Sequence, residues 1–127
     1  MTGEGIDSAL DRAARLFNDG AYHEAHEVLD ELWENSTQRD ADFFKGLIQA
    51  CIALHHYQRG NPEGARKLYS GHRQYLAAYG PSYRGLDVTR FLGEMQASLS
   101  GVLRARVGQE LPFDPARRPR LELGEKR

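Results

Sequence analysis

The stretch FFKGLIQACIALHHYQRGNPEGARKL, Phe43 to Leu68, decides the fold class. Its first half, Phe43 to Tyr57, is apolar over more than half of a helical circumference, through Phe43, Phe44, Leu47, Ile48, Ala50, Cys51, Ile52 and Leu54. That pattern predicts a central helix covered on several sides. Asn61-Pro62-Glu63 then supplies an N-cap residue, a proline at the first helical position and an acid in the first turn, the start signal of a further helix. This fourth helix is expected to run to about Tyr79.

Upstream, Ala9, Leu10, Ala13, Ala14, Leu16 and Phe17 recur at helical spacing between Ser8 and Phe17, and Asn18-Asp19-Gly20 supplies the stop. A second helix is predicted from about Ala21 to Glu34, with Ala21, Ala25, Val28, Leu29, Leu32 and Trp33 as its stripe. The short link makes the first two helices antiparallel neighbours. Gly20, Ala25, Val28 and Leu29 reappear forty residues later as Gly60, Ala65, Leu68 and Tyr69, so the two helical hairpins are expected to be related. A glycine-then-alanine pattern of this kind is used by tetratricopeptide-type repeats, but two copies at a longer period make a compact bundle rather than a solenoid.

Downstream, Tyr79-Gly80-Pro81-Ser82-Tyr83-Arg84-Gly85 holds too many helix breakers to be helical, and Asp87 is placed to cap a fifth helix carrying Val88, Phe91, Leu92, Met95, Leu99, Val102 and Leu103. The expected fold is therefore all-α: a bundle of about five helices over 1–107, built from antiparallel hairpins. The segment 108–127, with Pro112, Pro115 and Pro119 among Arg117, Arg118 and Arg120, is expected to be an extended tail, lying over the bundle or projecting toward a partner.

A chain of 127 residues, 40% hydrophobic, fits one domain with a real core. Its formal charge of −1 provides no global field toward nucleic acid or an anionic membrane. Nucleic-acid binding ranks third among the functional readings: the tail arginines with Lys126 and Arg127 could touch phosphates, but the bundle offers no basic and aromatic face to read bases. No apolar run approaches the ~20 residues of a membrane span, and the first residues lack the character of a signal peptide, so a cytoplasmic location is expected. The single cysteine, Cys51, agrees with a reducing compartment and limits any metal site to histidines, carboxylates and at most one thiolate.

His55 falls near the middle of the apolar face of the central helix, one turn after Cys51, and is the most out-of-place residue in the chain. His72 lies within the stripe of the fourth helix, and His26 at the edge of the stripe of the second, beside Glu27 and near Tyr22 and Trp33. Three helices could thus bring imidazoles toward one region. Buried neutral imidazoles commonly tie helices together by one donated and one accepted hydrogen bond. A divalent metal site drawn from His26, Glu27, Cys51 and His55 is the sharper alternative, with His72 as a further ligand. Acid–base chemistry is the third, with Glu24 or Glu27 orienting His26 or His55. Cys51 is expected to be buried, which raises a thiol's pKa, so no nucleophile stands out. His23, with Glu27 four residues on, reads as a surface pair, and His56 as off-centre. Trp33 reads as a packing anchor. Gly46 and Gly64 mark close helix approach.

The strings LFNDGAYHEAHEVLDELW (Leu16 to Trp33), FFKGLIQACIALHHYQRGNPEGARKL and YGPSYRGLDV (Tyr79 to Val88) together resemble the bacterial and archaeal family of unknown function DUF309, over roughly Leu16 to Leu103. The resemblance implies an all-helical bundle without an established activity. It also implies signature positions at Glu24, His26, Glu27, Trp33, Gln49, His55 and Asn61, which adds weight to His26 and His55 as a shared polar site. Lys45 stands where relatives tend to carry glutamine, and His72 is not part of the signature.

Two expectations follow. The first is a non-catalytic module whose hairpin groove binds a protein partner or a second copy of itself, with the tail in the contact and an interior His/Glu polar site. The second is a small metal-dependent or acid–base enzyme centred on His26, Glu27 and His55, opening on a pocket.

Overall fold

A computed structural model describes residues 3–106 and 112–124. Five helices carry the fold: α1 (Gly3–Asn18), α2 (Tyr22–Glu34), α3 (Gln38–Gln58), α4 (Pro62–Leu76) and α5 (Val88–Leu103). The all-α bundle is as the sequence reads. α3 packs most extensively on α4 and α2, and α1 on α2, so α3 is the central helix. Phe43, Phe44, Leu47, Ala50, Cys51, Ala53 and Leu54 of α3 are fully buried, and they meet Leu10, Phe17, Leu29, Leu76, Phe91 and Met95 from the other four helices.

The forty-residue echo is a shared way of ending a helix. Gly20 and Gly60 both adopt positive φ, 82° and 72°. After α1, Gly20 N–H donates to Phe17 O (3.0 Å) and Ala21 N–H to Leu16 O (2.9 Å). After α3, Gly60 N–H donates to Tyr57 O (3.1 Å) and Asn61 N–H to His56 O (2.8 Å). This paired pattern closes a helix end with a left-handed residue, which glycine adopts without a Cβ penalty. In each hairpin the chain turns back at once, into α2 and into α4. Asn61 caps α4 as read, its Oδ1 accepting from Gly64 N–H (3.1 Å), and Asp87 caps α5 by accepting from Arg90 N–H (2.9 Å).

α4 ends at Leu76, and Ala77–Tyr79 continue it as one 3₁₀ turn. The breaker-rich segment holds a small antiparallel ribbon, β1 (Ser82–Tyr83) and β2 (Leu86–Asp87), closed by Arg84 and Gly85. The described part of the tail lies over the bundle. Asn18 donates from Nδ2 to Leu121 O (2.9 Å) and accepts at Oδ1 from Leu121 N–H (2.8 Å), pairing with the tail backbone as another strand would. Leu123 bridges to Leu86, Gly124 N–H donates to Gly85 O (2.8 Å), and Leu121 is buried in the core. Phe113 packs edge-on against Tyr57 and Tyr22. The expected boundary at 107/108 and the basic residues Lys126 and Arg127 lie outside the described residues. Among the described residues, no helix is long and apolar enough to cross a membrane.

Candidate functional site

Because α2 and α3 run antiparallel, the first turns of α2 lie beside the last turn of α3, and four of the five histidines of the chain gather there. The His23 ring centroid is 5.2 Å from that of His26 and 5.7 Å from that of His55, and His55 is 6.4 Å from His56. His23 Nε2 lies 3.4 Å from Glu27 Oε1, the pair expected from their spacing. His26 and His55 therefore do face one region, with His23 between them.

The region is a surface patch, which corrects the expectation of an interior polar site. His26, His55 and His56 are half-buried, and His23, Glu24 and Glu27 are exposed. The stripe that carries His55 explains the difference. Ile48 and Cys51 are covered, but Ile52 and His55, farther along the same stripe, are only half-covered, because the end of α3 emerges from the bundle. Burial, with the Arg59 guanidinium nearby and repulsion from the imidazoles of His23, His56 and His26 whenever these carry a proton, depresses the His55 pKa, which favours the neutral ring.

Two hydrogen bonds assign tautomers. His26 Nδ1 lies 2.8 Å from His23 O, and a carbonyl only accepts, so the proton sits on Nδ1 and Nε2 keeps its lone pair. His56 is the reverse. Asn61 spends its Oδ1 on the α4 cap, which turns its Nδ2 toward His56 Nδ1 (3.2 Å); the ring accepts there and carries its proton on Nε2.

Cys51 does not join the patch. It is fully buried, and desolvation pushes its thiol far up, so it is neither a thiolate ligand nor a nucleophile. His72 does not join either, correcting the idea of three helices supplying imidazoles. It is fully buried, with its ring against Tyr69 and Phe91 between α4 and α5, and its Nδ1 donates to Tyr69 O. Among the described residues, no group of three or more His, Cys, Asp or Glu side chains is arranged to hold a metal ion as it stands.

The remaining signature positions divide by role. Asn61 borders the patch and orients His56. Gln49 lies over Gly71 of α4, where a Cβ would overlap its amide. Gly46 gives way to Leu76, whose Cγ lies 2.6 Å from where a Cβ would stand, as the close-approach reading expects. Trp33 sits at the far end of α2, 38% exposed, with Lys45 Nζ 4.8 Å above its ring, so it is a surface stack and not a core anchor.

A second polar cluster escaped the sequence reading. Asp40, 8% exposed in the first turn of α3, accepts from Arg84 Nε (3.0 Å) and Nη2 (2.9 Å) and from Tyr83 Oη (2.6 Å), and Asp7 of α1 lies 3.7 Å from Arg84. The Arg84 hydrogen bonds hold the Asp40 carboxyl below its usual pKa. This network pins the ribbon to α1 and α3, and with Thr37 and Arg39 it lines an open surface depression. Both carboxylate oxygens of Asp40 are taken up by Arg84 and Tyr83, which suits a latch better than a binding site.

The elements define an all-α domain of antiparallel helical hairpins with one imidazole-rich patch. The family model "Domain of unknown function (DUF309)" matches residues 10–68 of the chain. The matched stretch holds every residue of the patch and ends before His72 and the Tyr79–Val88 string. The chain is 33% identical over 95 residues to an uncharacterized protein of Aquifex aeolicus (strain VF5), covering 74% of this chain and 27% of that protein. It is 35% identical over 79 residues to the uncharacterized protein YpuF of Bacillus subtilis (strain 168), covering 60% of this chain and 45% of that one. The chain thus spans less than half the length of either relative.

Proposed function

We propose that the domain is a small-ligand site on a helical scaffold, working through the imidazoles of His23, His26 and His55 beside Glu27. The observation that carries this is a division of labour. The buried groups that hold the bundle together lie elsewhere, while three imidazoles from two helices converge at a solvent-facing end with only local hydrogen bonds. Neutral imidazoles with available lone pairs accept protons or hydrogen bonds, or bind cations, at neutral pH. The reading therefore belongs with the acid–base or metal-dependent expectation, without a covalent nucleophile.

Stability separates this reading from a structural one. Exposed functional side chains are removed at little expense, whereas a ring that ties helices together is worth about 1–3 kcal/mol. His23→Ala and His55→Ala are expected to unfold in urea within about 0.5 kcal/mol of the parent. A loss above about 1.5 kcal/mol for both would make the patch a structural tie and sink the reading.

Docking of a protein partner or a second copy is the second reading, and Trp33 favours it as the one large hydrophobic in the exposed class among the described residues. A concentration-dependent mass in light scattering that Trp33→Ala abolishes would support it. Leu121 and Phe113 of the tail pack on their own bundle, so this reading rests on Trp33 rather than on those two tail side chains.

A further inference from the structure

The patch reading leaves open what the imidazoles hold, and the spacing of their atoms narrows it. Around a tetrahedral metal with bonds of about 2.0–2.1 Å, neighbouring donor atoms stand about 3.4 Å apart and the centroids of two bound imidazole rings about 5.2 Å apart. His23 Nε2 and Glu27 Oε1 are separated by 3.4 Å, long for a hydrogen bond between a ring N–H and a carboxylate but equal to such an edge. The His23 ring is 5.2 Å from that of His26 and 5.7 Å from that of His55. The hydrogen bonds choose among the histidines. His26 gives its Nδ1 proton to a backbone carbonyl, the outer-shell arrangement that leaves Nε2 free to bind and fixes the ring's orientation. His56 has its lone pair occupied by Asn61 and its proton on Nε2, so it is excluded.

From these we infer that His23, Glu27 and His55, with His26 as the fourth donor, form a site for a borderline divalent transition-metal ion of the zinc class. Three imidazoles and a carboxylate suit such an ion better than calcium or magnesium, which prefer oxygen. The inference rests on the patch being the working site. No three of these side chains already surround one point, so binding must draw them in. The required movement falls on side chains at the surface: His23 is 58% and Glu27 62% exposed. Such groups can turn without disturbing the core, whereas Cys51, one turn from His55, is buried within it.

The test is calorimetric titration of zinc chloride into the tag-free chain after chelator treatment and dialysis, repeated with cobalt(II) to read geometry from its visible absorption. One zinc per chain is expected, with the intense visible bands of a four-coordinate cobalt site. His23→Ala and His55→Ala should weaken zinc by more than the about 10–100-fold that losing an outer-shell partner costs. His56→Ala should leave the affinity unchanged. Absence of one-to-one uptake, or uptake that His23→Ala leaves intact and His56→Ala removes, overturns the metal assignment. A flat titration together with unaltered urea stability of His23→Ala and His55→Ala overturns the metal alone and leaves the patch as a site for another ligand; large stability losses in those variants overturn both.

Discussion

Acidification should weaken the fold through His72. Its ring is fully buried, Nδ1 donates to Tyr69 O, and Nε2 has no hydrogen-bond partner among the described residues. Protonating Nε2 would place an unpaired charge between Tyr69 and Phe91, with Arg73 adding repulsion. Desolvation therefore pulls the pKa from 6.5 down to about 4. The sign follows directly. Between pH 6.5 and about 4 the unfolded chain binds a proton at His72 and the folded chain does not, so stability is complete above 6.5 and falls as pH drops through that window. At about 1.36 kcal/mol per pH unit, the full window is worth roughly 3 kcal/mol, a large fraction of the 5–15 kcal/mol that holds an ordinary domain. His72→Leu removes the titration and replaces an unsatisfied ring atom with carbon. Urea unfolding at pH 7 and pH 4.5 reads both effects: the variant should match or exceed the parent at pH 7 and lose about 2 kcal/mol less on acidification. His55 and Asp40 also titrate differently in the folded chain, so the difference between parent and variant is the quantity that counts. Equal acid losses in both proteins would refute the buried neutral ring.

Two further perturbations follow from contacts in the fold. Asp40→Ala leaves Arg84 with Asp7, at 3.7 Å, as its remaining carboxylate among the described residues, and because Arg84 is 24% exposed the loss should be about 2 kcal/mol in urea unfolding, below the 3–5 of a fully buried pair; an unchanged midpoint would remove the latch role. Gly71→Ala puts a methyl group where the Gln49 amide lies; the far end of that flexible side chain can turn away, and alanine gains about 1 kcal/mol over glycine in a helix interior, so the net change should stay within about 1 kcal/mol. In a Gln49→Ala background the methyl group meets no amide, so the same change should stabilise by about 1 kcal/mol, and equal effects in both backgrounds would show that the side chains do not meet.

The helices were legible because their signals are local. Gly20 and Gly60 end helices, Asn61 and Asp87 start them, and each signal needs only residues within one turn. The ribbon and the Asp40–Arg84 network were not legible, because their pairing joins residues 44 apart and no local pattern announces it. Arg84 looked like part of a breaker-rich loop, and Asp40 like the end of a polar link. The tail stood between two expectations, and what decides the matter is the pairing of Asn18 with Leu121, 103 residues away. The site was half legible for a related reason. A helical wheel places His26 and His55 by angle but carries no information on how far along the helix the covering elements reach. It therefore reported a buried face where α3 is already emerging, and it set His23 aside because it lies off the stripe. At a helix end the distinction between stripe and surface disappears, so a residue excluded from the core by its angle is free to meet one that the core no longer covers. That is why His23, read as one half of an exposed pair with Glu27, is the side chain that joins His26 to His55.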